Sequence, residues 1–272
     1  MKLIKLLGLL CLVCFTFFYT EKIINVTIEQ DEIMIKIKEI ENNHQIKPIN
    51  AIIKDDTIIP GNIGTYIDTE NSYKQMKKLG YFNESQLTYK NIYPEISIYN
   101  NYNKYIINGN PYNKNISLIY IINNDKTIDN ILNIAKNKNT QLTFFIDSSF
   151  LNNNIDILQK INNYEIYNYG NNGNYTKDNL IITNNIINNK SNNNSTYCLF
   201  LTKNDKSLNN CADNKMLSII PSITGNYNNI KNNLKNGSII LINNSKELSN
   251  IIDFIINKGY NILPLSKVVT EQ

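Results

Sequence analysis

Three carboxylates stand where an apolar run gives way to polar residues: Asp125, Asp129 and Asp147. The first two follow Ile116–Ile122, and the third follows Thr143-Phe144-Phe145-Ile146. Carboxylates gathered at one end of a sheet can hold a hard cation, and an all-oxygen set suits Mg²⁺ or Ca²⁺ better than a hydrolytic Zn²⁺. Helix capping and turn formation are the commoner uses of Asp at such places. Nucleophilic catalysis has less to draw on. The chain has one histidine, His44, in the polar stretch Asn42-Asn43-His44-Gln45, which reads as exposed loop. No G-x-S-x-G elbow occurs, and Cys198 has no histidine near it in sequence to activate it. Phosphate-binding loops and dinucleotide fingerprints are absent too.

The elements that must position these groups are legible in the second half of the chain. Ile116–Ile122 is a continuous apolar run, as expected of a strand buried on both faces. Ile128, Ile131, Leu132 and Ala135 mark one side of a helix starting at Thr127 or Asp129. Strands are predicted over 141–146, 164–167, 197–201, 218–221, 238–242 and 261–263, and helices over 155–161, 176–187, 227–235 and 246–258. Thr176 is the expected cap of its helix, and Gly259 the expected stop of the last. Strands that alternate with helices imply a parallel sheet or barrel, because parallel neighbours need crossover connections.

The first half reads differently. Ile24, Val26 and Ile28, then Ile33, Ile35 and Ile37, alternate with polar residues, which predicts strands or an extended stalk over 22–38. Short apolar runs continue to Pro60, a helix is predicted over 68–79 with Gly80 as its stop, and 88–107 is extended and Tyr-rich. Asn108-Gly109-Asn110-Pro111 is a strong turn signal and the expected boundary. Three regions follow: a signal or anchor segment over 1–20, a β-rich extension over 21–110, and an α/β domain over 111–272.

Lys2 and Lys5 precede an apolar run from Leu6 to Tyr19, the charged and apolar regions of a secretory signal. Glu21-Lys22 follows with no small-residue cleavage site, and with Leu3 and Ile4 the run approaches membrane-spanning length. The expectation is a single N-terminal membrane anchor helix with the domain outside, or a secreted protein if the segment is cut. Lipid attachment at Cys14 is disfavoured, since Leu12-Val13 offers no small residue before it. Outside the cell disulfides persist, so Cys198 and Cys211 are a candidate pair, with two free buried thiols as the alternative. The net charge of +4 is small, lysines are scattered and arginine is absent, which argues against a nucleic-acid partner. The excess of Asn, Ile, Lys and Tyr reads as codon bias of an AT-rich genome rather than as an assembling tract.

Residues from about 113 to 269 resemble the polysaccharide deacetylase (NodB-homology) family. Ile131–Phe145 is similar to the family's helix and Thr-Phe-Phe strand, and Tyr164–Thr176 to the strand and loop that bear its histidine motif. Gly237–Asn243 is similar to its penultimate strand, and Gly259-Tyr260 with Leu263–Val269 to its closing segment. The resemblance implies a distorted (β/α) barrel with its site at the C-terminal ends of the strands. It also implies metal-assisted deacetylation of N-acetylated sugars, with a divalent cation such as Zn²⁺ held by an Asp and two His, a second Asp as base and a late His as acid.

This chain departs from that pattern at each position. Ile121 and Ile122 stand where the paired Asp belong, Tyr169 and Gly173 where the metal histidines belong, and Asn243 where the late histidine belongs. A two-histidine site cannot be built from one histidine that lies outside the matched region. No cofactor is therefore expected, and the resemblance implies an inactive relative that keeps a cleft for glycan or peptidoglycan. Tyr120, Tyr167, Tyr169 and Asn243 would stand near its mouth, rings stacking on sugar faces and amides pairing with hydroxyls. Taken singly, each is more often a plain core or surface residue. The alternatives are an active carbohydrate deacetylase with relocated metal ligands and a scaffolding protein of the cell envelope.

Overall fold

The computed structural model describes residues 2–124, 126–191 and 193–272, with the side chains of 2–7 and 9 left out of account. The chain opens with helix α1 (Lys2–Glu29), 28 residues long. Within it Thr16, Thr20 and Thr27 turn their hydroxyls back onto carbonyls three or four residues earlier, so polar side chains cost the helix no unpaired group. Its segment Leu10–Glu29 has a mean hydropathy of 1.4 and none of it is buried. Helix α2 (Glu32–His44) follows at once, capped by Asp31, whose carboxylate accepts from the Ile33 amide at 3.0 Å.

These two helices correct the strands expected over 22–38. The isoleucines at 33, 35 and 37 do alternate, but the buried residues are Ile33, Met34 and Ile37, with Ile40 packed against them. That is a helical stripe, and Met34 breaks the alternation that a strand would need. The N-terminal region is thus not uniformly β-rich. His44 is the last residue of α2 rather than a loop residue, and its ring Nδ1 lies 3.0 Å from the Ile40 carbonyl oxygen.

Short strands come next: β1 (Ile52–Lys54), β2 (Thr57–Ile59) and β3 (Gly64–Ile67), then helix α3 (Thr69–Leu79), β4 (Tyr89–Ile92) and β5 (Tyr105–Ile106). The predicted stop at Gly80 holds, with φ of 82° and its amide on the Met76 carbonyl. Two compact units result. The smaller comprises residues 1–48 and 64–92, where α2, α3 and the antiparallel β3–β4 pair enclose Ile33, Ile37, Ile67 and Met76.

The larger unit takes in residues 49–63 and 93–272. The turn expected as a boundary at 108–111 lies inside it. Asn108 and Asn110 are buried, and the Asn110 amide donates to the Asn62 side chain and the Thr270 carbonyl, both at 3.1 Å. The Asn/Gly/Pro signature marks a change of direction, and here that turn is packed rather than exposed.

The rest of the larger unit alternates strand and helix: β6 (Asn115–Ile122), α4 (Ile128–Asn137), β7 (Thr143–Ile146), α5 (Ser148–Asn153), α6 (Ile157–Lys160), β8 (Glu165–Asn168), α7 (Lys177–Lys190), β9 (Tyr197–Leu199), α8 (Asp205–Asp213), β10 (Leu217–Ile219), β11 (Ile223–Gly225), α9 (Tyr227–Asn233), β12 (Ile239–Ile242), α10 (Leu248–Asn257), β13 (Asn261–Ile262) and α11 (Leu265–Val268). One sheet runs β11-β12-β6-β7-β8, all parallel, with β13 on the start of β6. The other runs β1-β2-β5-β10-β9, parallel except for the β1–β2 hairpin.

Among the described residues the hydrogen-bonded paths are two open ones. Both sheets nevertheless line one core, in which Ile119, Phe145, Tyr167 and Leu241 of the first meet Ile58, Ile106, Leu199 and Ile219 of the second. Side chains join the sheets along one seam. Asn193 Oδ1 takes the Ile166 amide at 3.2 Å and Ser195 Oγ takes the Asn168 amide at 2.9 Å, so the edge of β8 is satisfied without a ladder. On the outer faces Leu118, Phe144, Ile166 and Ile240 pack beneath the helices.

Candidate functional site

Parallel strands present the loops after their C-terminal ends on one side of the molecule, and here those loops enclose a cavity of about 370 Å³. Tyr120, Ile121, Asn123 and Asn124 reach it from the end of β6, Tyr169 and Asn172 from the loop after β8, Leu201 from beyond β9, and Leu241, Ile242 and Asn243 from the end of β12. Strand alternation decides what each can present. Ile121 points to the shared core and Ile122 to the outer layer, so neither could offer a ligand. Tyr120 packs on the outer layer against Phe144, and its hydroxyl is 2.7 Å from Thr127 Oγ1 at the start of α4.

The loop after β8 is the best defined wall. Asn168 Oδ1 takes the Gly170 amide at 2.6 Å, Asn171 and Asn174 bridge one another, and the Gly173 amide returns to the Tyr169 carbonyl at 3.1 Å. The turn needs left-handed backbone at Gly170, Asn172 and Gly173, with φ of 66°, 50° and 78°. The Tyr169 ring, only 4% exposed, lies inside this turn. A Cβ on Gly173 would meet its hydroxyl oxygen at 3.4 Å. Burial, and next the Asp147 carboxylate, raise the Tyr169 hydroxyl above its ordinary pKa.

Of the other residues expected at the mouth, Tyr169 and Asn243 stand there with Tyr120, while Tyr167 does not. Tyr167 is buried between Phe145 and Tyr197, with ring centroids 5.5 and 4.8 Å away. Burial above all, then the nearby Glu165 carboxylate, push its pKa up. Glu165 itself is bound by Thr143 and by the Ser266 amide and hydroxyl. Asn172 and Leu201 are mouth residues that the sequence reading did not single out. Their signal was position alone, just past the ends of β8 and β9.

The carboxylates have other work. Asp147 caps α5, its Oδ1 accepting from the Ser149 and Phe150 amides at 2.9 and 3.1 Å, while Oδ2 takes the Asn172 amide at 2.7 Å. Asp129 is exposed and pairs with Lys160 at 3.2 Å. Asp125 lies outside the described residues. Cys198 of β9 and Cys211 of α8 are joined by a disulfide with their Cα atoms 6.5 Å apart. Among the described residues no three His, Cys, Asp or Glu side chains come together in a way that could hold a metal.

No family model matches the sequence, and no curated protein matches it. Solved structures do. BA3943 of Bacillus anthracis, described as a CE4 family pseudoenzyme, superposes with a TM-score of 0.67 at 22% identity, over 89% of this chain and 96% of that one. The fold is that of the family 4 carbohydrate esterases, the polysaccharide deacetylases. A BA3943 mutant described as having restored enzymatic activity matches with a TM-score of 0.66 at 22% identity, over 89% of this chain and 99% of that one. The Bc1960 peptidoglycan N-acetylglucosamine deacetylase matches with a TM-score of 0.55 at 18% identity, over 60% of this chain and 92% of that one. The resemblance read from the sequence implies a divalent cation at the mouth, and the described side chains there do not fit one. Ile121, Gly173 and Asn243, which stand where the resemblance implies ligands, supply no anionic or imidazole donor, and the Tyr169 phenol packs beside Gly173.

Proposed function

We propose that this is a deacetylase-like protein without deacetylase activity, which binds a neutral glycan of the cell wall or cell surface at the mouth of its larger unit. The observation that carries the reading is the Tyr169–Gly173 turn, where a phenol stands in place of a coordination shell. What remains suits sugar: one buried ring edge, a second tyrosine, and the amides of Asn123, Asn124, Asn172 and Asn243 around about 370 Å³. The exposed apolar helix α1 supports tethering to a membrane, with the folded units outside the cell. The disulfide Cys198–Cys211 accords with an oxidising compartment.

Two assays test this together. Acetate release from N-acetylglucosamine oligomers and from peptidoglycan, with added Zn²⁺ or Co²⁺, should not exceed a no-enzyme control. Titration with the same oligomers should show saturable binding that Asn243→Ala weakens. Turnover above the control would overturn the inactive reading, and absence of any binding would overturn the glycan reading.

A further inference from the structure

Helix α1 is longer than a hydrocarbon core requires. Its 28 residues rise about 42 Å, close to the roughly 40–45 Å of a bilayer counted with its headgroups. Apolar side chains continue almost to its end: Ile23, Ile24 and Val26 are each at least half exposed. Lipid covers them only if it reaches that far, which puts Glu29 at the outer headgroups.

The C-terminal end of α3 stands at that point. Asp31, two residues beyond α1, accepts from the Tyr73 hydroxyl at 3.1 Å and from the Lys77 ammonium at 2.5 Å. At the other end of α2, Ile46 bridges Thr65, shortly before α3 begins. Helices α2 and α3 therefore run antiparallel, and Lys78, Leu79 and Tyr81 follow directly on the Asp31 contact. Lys78 is exposed, Leu79 is 47% exposed and Tyr81 58%. An exposed tyrosine and leucine beside a lysine suit a headgroup layer, where the ring lies between oil and water and the ammonium reaches a phosphate.

The charges around the junction are compatible with lipid. Glu29 pairs with Lys38, Asp31 with Lys77, and Glu32 with Lys36. These three carboxylates are thus matched, so they do little to repel phosphate, and Lys78 belongs to none of the pairs.

We infer that the C-terminal end of α3 docks on the outer surface of the bilayer that holds α1, with Leu79 and Tyr81 among the headgroups and Lys78 at a phosphate. The inference rests on the membrane tether read above and adds which end of the smaller unit meets the lipid.

The chain has no tryptophan, so a single introduced one reports without background. Tyr81→Trp and Tyr89→Trp are made in the full chain and reconstituted into vesicles of phosphatidylcholine and phosphatidylglycerol. Tyr89 is the control at the far end of α3: the carbonyl of its neighbour Thr88 accepts from the Asp68 amide, and the 11 residues of α3 set its ends about 15 Å apart. Both variants carry the same preference of tryptophan for an interface, so a difference between them reports position. Lipids brominated near the headgroup end of their acyl chains should quench Tyr81→Trp and leave Tyr89→Trp unchanged. Adding Leu79→Glu to Tyr81→Trp should abolish the quenching. No quenching of Tyr81→Trp in chain that resists alkaline carbonate extraction would overturn the docking and leave the tether standing. Equal quenching of both variants, or quenching that survives Leu79→Glu, would do the same. Release of the chain by carbonate would overturn the tether and this inference together.

Discussion

The hydroxyl of Tyr169 stands 3.4 Å from the point where a side chain on Gly173 would begin. The two positions are four residues apart on a turn closed by the Gly173 amide and the Tyr169 carbonyl. A Cβ there would touch the phenol only in ordinary van der Waals contact, so the left-handed backbone rather than lack of space is what favours glycine. A side chain at 173 would meet both the ring and a left-handed backbone.

Gly173→His should therefore lower stability by about 1–2 kcal/mol, the cost of an L-residue in that conformation. Gly173→Asn should cost less, because Asn tolerates it. Urea denaturation of the two variants checks the order. Equal costs would show that crowding by Tyr169, not backbone conformation, sets the limit.

Divalent metal should not be retained. Equilibrium dialysis of the full chain against Zn²⁺, followed by elemental analysis, should give well under one ion per chain. A tight stoichiometric ion would point to ligands other than residues 121, 122, 169, 173 and 243.

Asp147 ties three backbone amides and so holds both α5 and the loop that forms the wall of the mouth. Asp147→Ala should cost about 1–3 kcal/mol, the loss of a cap plus an unpaired partly buried donor. Hydrogen exchange at the Asn172 amide should speed up in this variant, while amides of β6 and β12 stay protected. Uniform loss of protection would indicate a global effect instead.

The smaller unit should lose stability in acid. The Lys77 ammonium, and next the Ile33 amide, hold the Asp31 carboxyl below its ordinary value near 3.8. A carboxyl lowered in the folded state stabilises above the unfolded pKa, and that contribution fades as pH falls through the lower, folded value. Acid unfolding of the smaller unit should therefore begin at a higher pH in Asp31→Asn. The far-UV signal of α2 and α3, followed from pH 5 downward, reports it; a coincident curve would remove Asp31 from the account. Its salt bridge is well exposed on the lysine side, so the effect should shrink in high salt.

The disulfide pins β9 to α8 across a short loop. Cys198→Ala with Cys211→Ala should lower stability by about 3 kcal/mol in the chain-entropy account. Thermal unfolding with and without reductant gives the same comparison on the natural sequence.

Much of the larger unit was legible because long apolar runs and helical stripes are strong signals. Ile116–Ile122 and the stripe of Ile128, Ile131 and Ala135 fall within a residue or two of β6 and α4. Helix α8 was missed: only Leu208 and Cys211 mark its buried face among polar residues, and its start rests on an Asn cap that resembles any other Asn here. Helix α2 was misread because alternate isoleucines coincide with a strand pattern for five residues. At the mouth, strand ends gave Tyr120, Tyr169 and Asn243. Tyr167 was misplaced because it lies two residues earlier, where the same strand face has turned from the mouth into the core. Asn110 and its buried neighbours looked like a linker, since sequence shows turn chemistry but not what packs over it.

Asn204 and Asn226 cap α8 and α9, and Asn83 and Asn244 do the same for two short 3-10 turns. An amide has no proton to gain or lose near neutral or acid pH, so these helix starts are indifferent to acidity. Those begun by Asp31 and Asp68 are not, for both carboxyls are lowered in the folded state; at Asp68 burial opposes the shift, and Lys90 and Asn71 outweigh it. Asparagine thus gives α8 and α9 of the larger unit neutral caps, with Asp147 at α5 a carboxylate one, whereas α2 and α3 of the smaller unit both start on lowered carboxyls, so acidification should loosen the smaller unit first.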